Sequence, residues 1–224
     1  PNARSILKYF DKKFTFDKKD AIDYKINFRP LFFSNEYEEI RNFQSNFQFE
    51  SMFIGTAHTD RYLISEKVKS WCDSNNFRSF AFYYSPSQYV FHFKRIFDKT
   101  FKKFDIKKIS FRSLEHGEII DLYKKSKSVL DINHPFQTGL TMRTFEALGA
   151  GRKLITTNAQ VMDYPFYNPE NILVIDRNNI VLNSAFFQTN FKVISNETLF
   201  LMSLDGWIDC LFNKEQDEYW LKNE

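Results

Sequence analysis

The sequence predicts an α/β protein, a parallel sheet covered by helices, with a shorter segment in front of it. Three observations carry that expectation. From Met52 onward, compact apolar runs ended by small or polar residues recur, as buried parallel strands do. Stretches of helical spacing separate them, and parallel strands need such crossover connections. The composition is 43% hydrophobic and 18% aromatic, with 27 Phe against 6 Gly and 6 Pro, which excludes disordered and collagen-like chains. At 224 residues the chain holds one substantial domain plus part of another.

The elements follow in order. Lys13 to Phe16 reads as a short strand, Asp17 to Tyr24 as a turn of helix and Phe28 to Phe33 as extended chain, together the tail of a domain. Ser34 to Ser51 is polar and poorly periodic. Met52-Phe53-Ile54-Gly55-Thr56 is the first buried strand of a new domain. A helix is expected over Asp60 to Ser74, with Asp60 as N-cap, then a strand at Ser79 to Tyr84. Phe93, Ile96, Phe97, Phe101 and Phe104 recur at three- and four-residue spacing among lysines, marking an amphipathic helix within Phe91 to Lys108. Its apolar stripe suits either the core or a membrane interface. Then come a helix at Glu118 to Ser126, a strand at Val129 to Asn133, a helix at Thr141 to Leu148 and strands at Lys153 to Thr157 and Ile172 to Asp176. A helical segment from Asn196 to Trp220 closes the series. The expected division is residues 1–50 as the tail of an N-terminal domain with its linker, 51–195 as a Rossmann-like domain, and 196–224 as a helical segment packing back toward the N-terminal part. Because the chain opens on Pro1 in mid-pattern, an N-terminal portion is expected to precede it.

Composition also excludes functions. A net charge of +3, with acids interleaved among the bases, is too small for a nucleic-acid binder. No apolar run reaches the roughly 18 residues of a membrane span. Cys72 and Cys210 are too far apart and too apolar in context for a disulfide framework or a metal cluster, which suits a reducing, cytoplasmic setting. The defining motifs of P-loop NTPases, zinc proteases, serine hydrolases and zinc ribbons do not occur.

Chemistry concentrates in Ser128 to Asn158. There a strand gives way to the loop His134-Pro135-Phe136-Gln137-Thr138-Gly139, then to a helix carrying Leu140-Thr141-Met142-Arg143-Thr144-Phe145-Glu146-Ala147-Leu148, a Gly149-Ala150-Gly151 stop and a second strand. In an open parallel sheet, ligands bind outside the carboxyl ends of the strands. A helix starting there presents unpaired amides and a positive dipole end to a phosphate. Gly139 lets the backbone approach a ligand, Arg143 adds a cationic donor, and a carboxylate at Glu146 can accept both hydroxyls of a ribose.

This segment resembles the C-terminal, nucleotide-binding domain of bacterial GT-B-fold glycosyltransferases of lipopolysaccharide, capsule and spore-coat polysaccharide assembly. The Gly139-Leu140-Thr141-x-Arg143-x-Phe145-Glu146-Ala147 run and its glycine stop carry the likeness, sharply over about thirty residues and in layout from Phe53 to Asp176. The resemblance implies transfer of a sugar from a UDP-, GDP- or CMP-linked donor to a glycan or lipid-linked acceptor, with no obligatory cofactor or metal. It implies a cytoplasmic location at the inner face of the membrane. Glu146 would then hold the ribose, and the amides of Gly139 to Thr141 the phosphates, with Thr138 beside them. Gly55, Thr56, His58 and Arg61 match the first strand-loop-helix, where the diphosphate is faced, and Phe111 with Arg112 match where the base is read. Many retaining members carry a glutamate eight positions before the ribose-binding one; here that position is Thr138, so no retaining mechanism carries over. The catalytic base is expected from the preceding N-terminal domain, with His134 as the candidate within this chain.

Each residue also has a structural reading. Glu146 can be an ion-pair partner, Arg143 a packing arginine, and His134, His58 and Arg61 hydrogen-bonded scaffold. A nucleotide-sugar epimerase or hydrolase, or a non-catalytic assembly module, would keep the same fold.

Overall fold

A computed structural model describes residues 7–43, 47–57, 60–213 and 216–221. The front segment holds β1 (Phe14–Thr15), α1 (Lys18–Tyr24), β2 (Asn27–Phe28) and α2 (Asn35–Glu39). The main body then runs β3 (Ser51–Thr56), α3 (Arg61–Ser74), β4 (Ser79–Tyr84), α4 (Gln88–Phe97), α5 (Lys99–Lys102), β5 (Ile109–Ser110), α6 (His116–Lys125), β6 (Ser128–Asp131), α7 (Met142–Gly149), β7 (Lys153–Thr156), β8 (Ile172–Val174) and α8 (Ser184–Gln188). It closes with α9 (Asn196–Met202), α10 (Leu204–Asn213) and a short 3-10 turn at Glu218–Leu221.

β3 to β8 form one six-stranded, wholly parallel sheet in the order β5-β4-β3-β6-β7-β8. The expected Rossmann-like α/β fold is therefore present, with the chain stepping outward from β3 to β5 and then crossing back to β6 on the other side of β3. Strand order reverses at that point, which leaves a crevice between two crossovers that run in opposite directions.

Successive strand residues alternate between two cores, as the period of two requires. Phe53, Tyr83, Leu130 and Ile155 face α3, Phe91 of α4 and Phe186 with Phe187 of α8. Met52, Ile54, Val129, Leu154 and Ile172 face α6, α7 and α9. The front segment joins this second core through Phe28, Phe33 and Tyr37.

Front and back of the chain are stitched together. The Phe33 amide donates to the Met202 carbonyl (3.0 Å), and the Leu204 amide to the Phe33 carbonyl (2.9 Å). Buried Arg29 donates to the Leu201 carbonyl (2.6 Å), pairs with Asp217 (3.5 Å) and lies against the Trp220 ring. The Phe33 ring occupies the space where a Cβ on Gly149 would sit, 2.5 Å away, so α7 needs glycine there.

Several sequence expectations shift in detail. The amphipathic stretch within Phe91 to Lys108 is not one helix but α4, α5 and a 3-10 turn at Ile106–Lys108. Phe91, Phe101 and Phe104 are buried, while Phe93, Ile96 and Phe97 are exposed. Asp60 stands at the N-cap of α3 but makes no capping bond; both its oxygens accept from Arg177 Nη1 at 2.7 Å. The short β5 and α8 lay outside the sequence expectation. Among the described residues, no helix is long and apolar enough to cross a membrane.

Phe33 is fully buried where the front segment, α7 and α9 meet. Phe33→Ala should lower the unfolding free energy by about 3–5 kcal/mol, read from urea transitions; a loss below about 1 kcal/mol would show that the front segment adds no packing to the domain.

Candidate functional site

β3 and β4 pair along all six residues from Ser51 to Thr56, and β6 and β7 along all four from Ser128 to Asp131. Between β3 and β6 the ladder joins only Met52 with Val129 among the described residues. Beyond that pair the two strands part toward their carboxyl ends, and a cavity of about 440 Å³ opens in the gap. It is lined by Ile54, Gly55 and Thr56 of β3, Asp131 at the end of β6, Arg61 at the start of α3, and Thr141, Met142, Arg143 and Glu146 around the first turns of α7. Phe82 and Tyr84 of β4, with Ser113 and Leu114 before α6, form a more apolar wall.

Parting strands strand backbone groups, and a buried carbonyl needs a donor. The Ile54 carbonyl finds one in Arg143 Nη1. Arg143 thus bridges the split from α7, with the side chains of Tyr123, Glu146, Asp131 and Tyr37 as electrostatic neighbours. Burial works to lower its pKa, but those partners outweigh it and the guanidinium is held above its ordinary range.

Asp131 ties the strand to the helix. Its Oδ2 accepts from the Thr141 hydroxyl (2.7 Å) and the Thr144 hydroxyl (3.2 Å). Burial raises its pKa, against the pull of those hydroxyls and of Arg143 and Arg61. Arg61 reaches back along β3, with Nη1 3.4 Å from the Thr56 hydroxyl. Its Nε is buried with no hydrogen-bond partner, and burial pulls its pKa down despite Asp131. A buried guanidinium N–H without an acceptor is costly unless a ligand supplies one.

Glu146 is held from behind. Tyr123, fully buried on α6, donates its hydroxyl to Glu146 Oε2 (3.1 Å), and Tyr37 of α2 is an electrostatic neighbour of the same carboxylate. Burial raises both phenol pKa values, so both stay neutral. The carboxylate is fixed in orientation while its flank borders the cavity.

Of the residues singled out from sequence, Gly55, Thr56, Arg61, Thr141, Arg143 and Glu146 come together in this cavity. Thr138, Gly139 and Leu140 do not line it. The Gly139 amide, expected to face a phosphate, donates to Asp17 Oδ2 (3.1 Å), and the Thr138 hydroxyl donates to the same oxygen. Gly139 is glycine because Phe16 crosses it: a Cβ would lie 2.8 Å from the Phe16 carbonyl oxygen. Leu140 is buried in the core. Phe111 packs against the aromatic core around Phe91, and exposed Arg112 pairs with Glu118 (2.7 Å). His134 Nδ1 accepts from the Phe136 amide (3.3 Å) and stands outside the lining. His58 lies outside the described residues.

Asp131, Tyr37, Tyr123 and Asp17 were not singled out from sequence. Position alone could have found Asp131, a carboxylate at the carboxyl end of a strand beside the switch point. The tyrosines and Asp17 come from distant elements and carry no local signal. No protein-family model matches the chain, and no curated protein matches it.

The raised pKa of Asp131 gives a signed expectation. The folded state holds this proton more tightly than the unfolded chain, so the group's contribution is greatest in acid. It declines as pH rises above the ordinary carboxylate value toward the raised one. Asp131→Asn should therefore gain stability relative to the parent chain over that interval, measured as urea midpoints at several pH values; a difference that shrinks with rising pH would contradict the burial argument.

Proposed function

We propose that the cavity between β3 and β6 binds the diphosphate and ribose of a nucleotide sugar, and that the chain is the donor-binding half of a glycosyltransferase of bacterial surface polysaccharide synthesis. One observation carries the reading. Two guanidiniums, Arg61 and Arg143, meet at the switch point of the sheet, and a buried Nε of Arg61 has no acceptor.

The surroundings support the same chemistry. Arginine binds phosphate oxygens with fixed, often paired donors, and the first amides of α7 add a positive helix end at Thr141 to Arg143. Glu146, held by the Tyr123 hydroxyl, borders the cavity and can accept from the two hydroxyls of a ribose. The wall of Phe82, Tyr84 and Leu114 offers a base an apolar surface. In sugar transfer the leaving group gains charge as the glycosidic bond breaks, and preorganised cations next to it stabilise that charge. The base that deprotonates an acceptor hydroxyl is assigned to a domain outside this chain, in a cytoplasmic enzyme. The sugar unit and the acceptor would approach from the open side of the crevice.

A thermal-shift panel of UDP, GDP, CMP and ADP and their sugars, with and without magnesium, tests this. One nucleotide should stabilise the fold by about 2.7 kcal/mol at a hundred times its dissociation constant. Arg61→Ala and Glu146→Gln should each weaken that nucleotide by roughly ten- to a hundredfold, the size of a charged hydrogen bond. Absence of any shift, or binding unchanged in both variants, overturns the proposal. Breakdown of the sugar nucleotide without acceptor would point to a hydrolase or epimerase instead.

A further inference from the structure

α4 carries apolar side chains on its outward side. Tyr89, Val90, Phe93, Ile96 and Phe97 fall at positions i, i+1, i+4, i+7 and i+8, one continuous arc of the helix. Phe91, which anchors α4 to the core, lies on the opposite side and is fully buried. The arc is open: Tyr89 is 90% exposed, Phe93 63%, Ile96 66% and Phe97 73%. The Phe93 and Phe97 rings, four residues apart on the helix, lie 4.9 Å apart at a 51° tilt and make the arc continuous. A contiguous exposed patch of this kind marks an interaction surface, whereas single exposed apolar residues do not.

The charge around the patch names its partner. From Ser87 to Lys108 the sequence carries seven basic and two acidic residues, a net +5, while the whole chain carries only +3. The rest of the molecule is thus slightly acidic, and the excess of cations sits beside the apolar arc. Lys94, Lys102, Lys103 and Lys107 are exposed and form no ion pair among the described residues. The Asp105 carboxylate is engaged by the Lys107 amide, as a cap of the 3-10 turn.

We infer that α4, with the basic segment that follows it, docks on an anionic phospholipid surface. Phe93, Ile96 and Phe97 enter the boundary between headgroups and acyl chains, and the lysines face lipid phosphates. Lysine ammoniums suit this role because they are flexible point charges that need no fixed partner geometry. α4 follows directly on β4, whose Tyr84 lines the cavity. Resting on the donor-site reading above, docking would hold the crevice near a lipid-linked acceptor.

The test uses the whole chain without nucleotide. Cosedimentation is measured with vesicles of phosphatidylcholine alone and of phosphatidylcholine with an equal amount of phosphatidylglycerol. The chain should sediment with the anionic vesicles, much less with the neutral ones, and less as salt is raised. Phe93→Ser with Ile96→Ser and Phe97→Ser should weaken binding by about tenfold or more, and Lys94→Glu with Lys102→Glu and Lys103→Glu likewise. These side chains are exposed, so both variants should melt with the parent chain and keep its nucleotide response. Overturning results are no binding to anionic vesicles, binding that survives both variants, or a self-associating chain whose dimer, rather than vesicle binding, is lost in the serine variant. Failure of nucleotide binding alone leaves the vesicle result standing, so the two proposals fail separately.

Discussion

Everything at the crevice depends on how the chain satisfies the backbone where β3 and β6 part. Two strands that separate inside a core leave carbonyls without partners, a penalty of roughly 1–3 kcal/mol for each group. Arg143 supplies the donor to Ile54 from the first turn of α7. That one contact fixes the helix against the sheet at the switch point and brings a permanent cation to the floor of the cavity. The split is held open by the same side chain that gives it charge. Asp131 keeps the opposite strand in register with α7 through two hydroxyls, and balances part of the charge of Arg143 and Arg61.

The front segment shapes the site from outside. Tyr37 of α2 packs edge-on against Tyr123, the donor to Glu146, and Asp17 fixes the loop before α7 by accepting from Thr138 and Gly139. Asp17 also caps α1 through the amides of Lys19 and Asp20, so one carboxylate locks a short helix and a crevice loop together. A loop held in this way cannot wrap a phosphate with its Gly139 amide. In the proposed donor site, phosphate binding therefore falls to the arginines and to the amides at the start of α7.

Much of this was legible in the sequence. Met52 to Thr56, Ser79 to Tyr84 and Lys153 to Thr157 read as strands because runs buried on both faces are continuously apolar, and the structure places strands there within a residue. Arg143 and Glu146 were legible because a strand, a loop and a helix ended by glycine fix where a helix start must lie. The stretch after Ser87 was not, because the spacing of Phe93, Ile96, Phe97, Phe101 and Phe104 continues across a break at Asp98. Periodicity cannot tell a helix that ends from one that continues, nor an apolar arc that faces the core from one that faces out. Gly139 misled for a related reason. Close approach by a ligand and close approach by Phe16 demand the same residue.

The proposed ligand site is the arginine-bearing split between β3 and β6. Backbone amide exchange, followed by mass spectrometry with and without a saturating sugar nucleotide, tests it most directly. Slowed exchange is predicted at the end of β3, in the first turn of α3 and over residues 140–146. Slowed exchange confined to any other part of the sheet, or none at all, would contradict it.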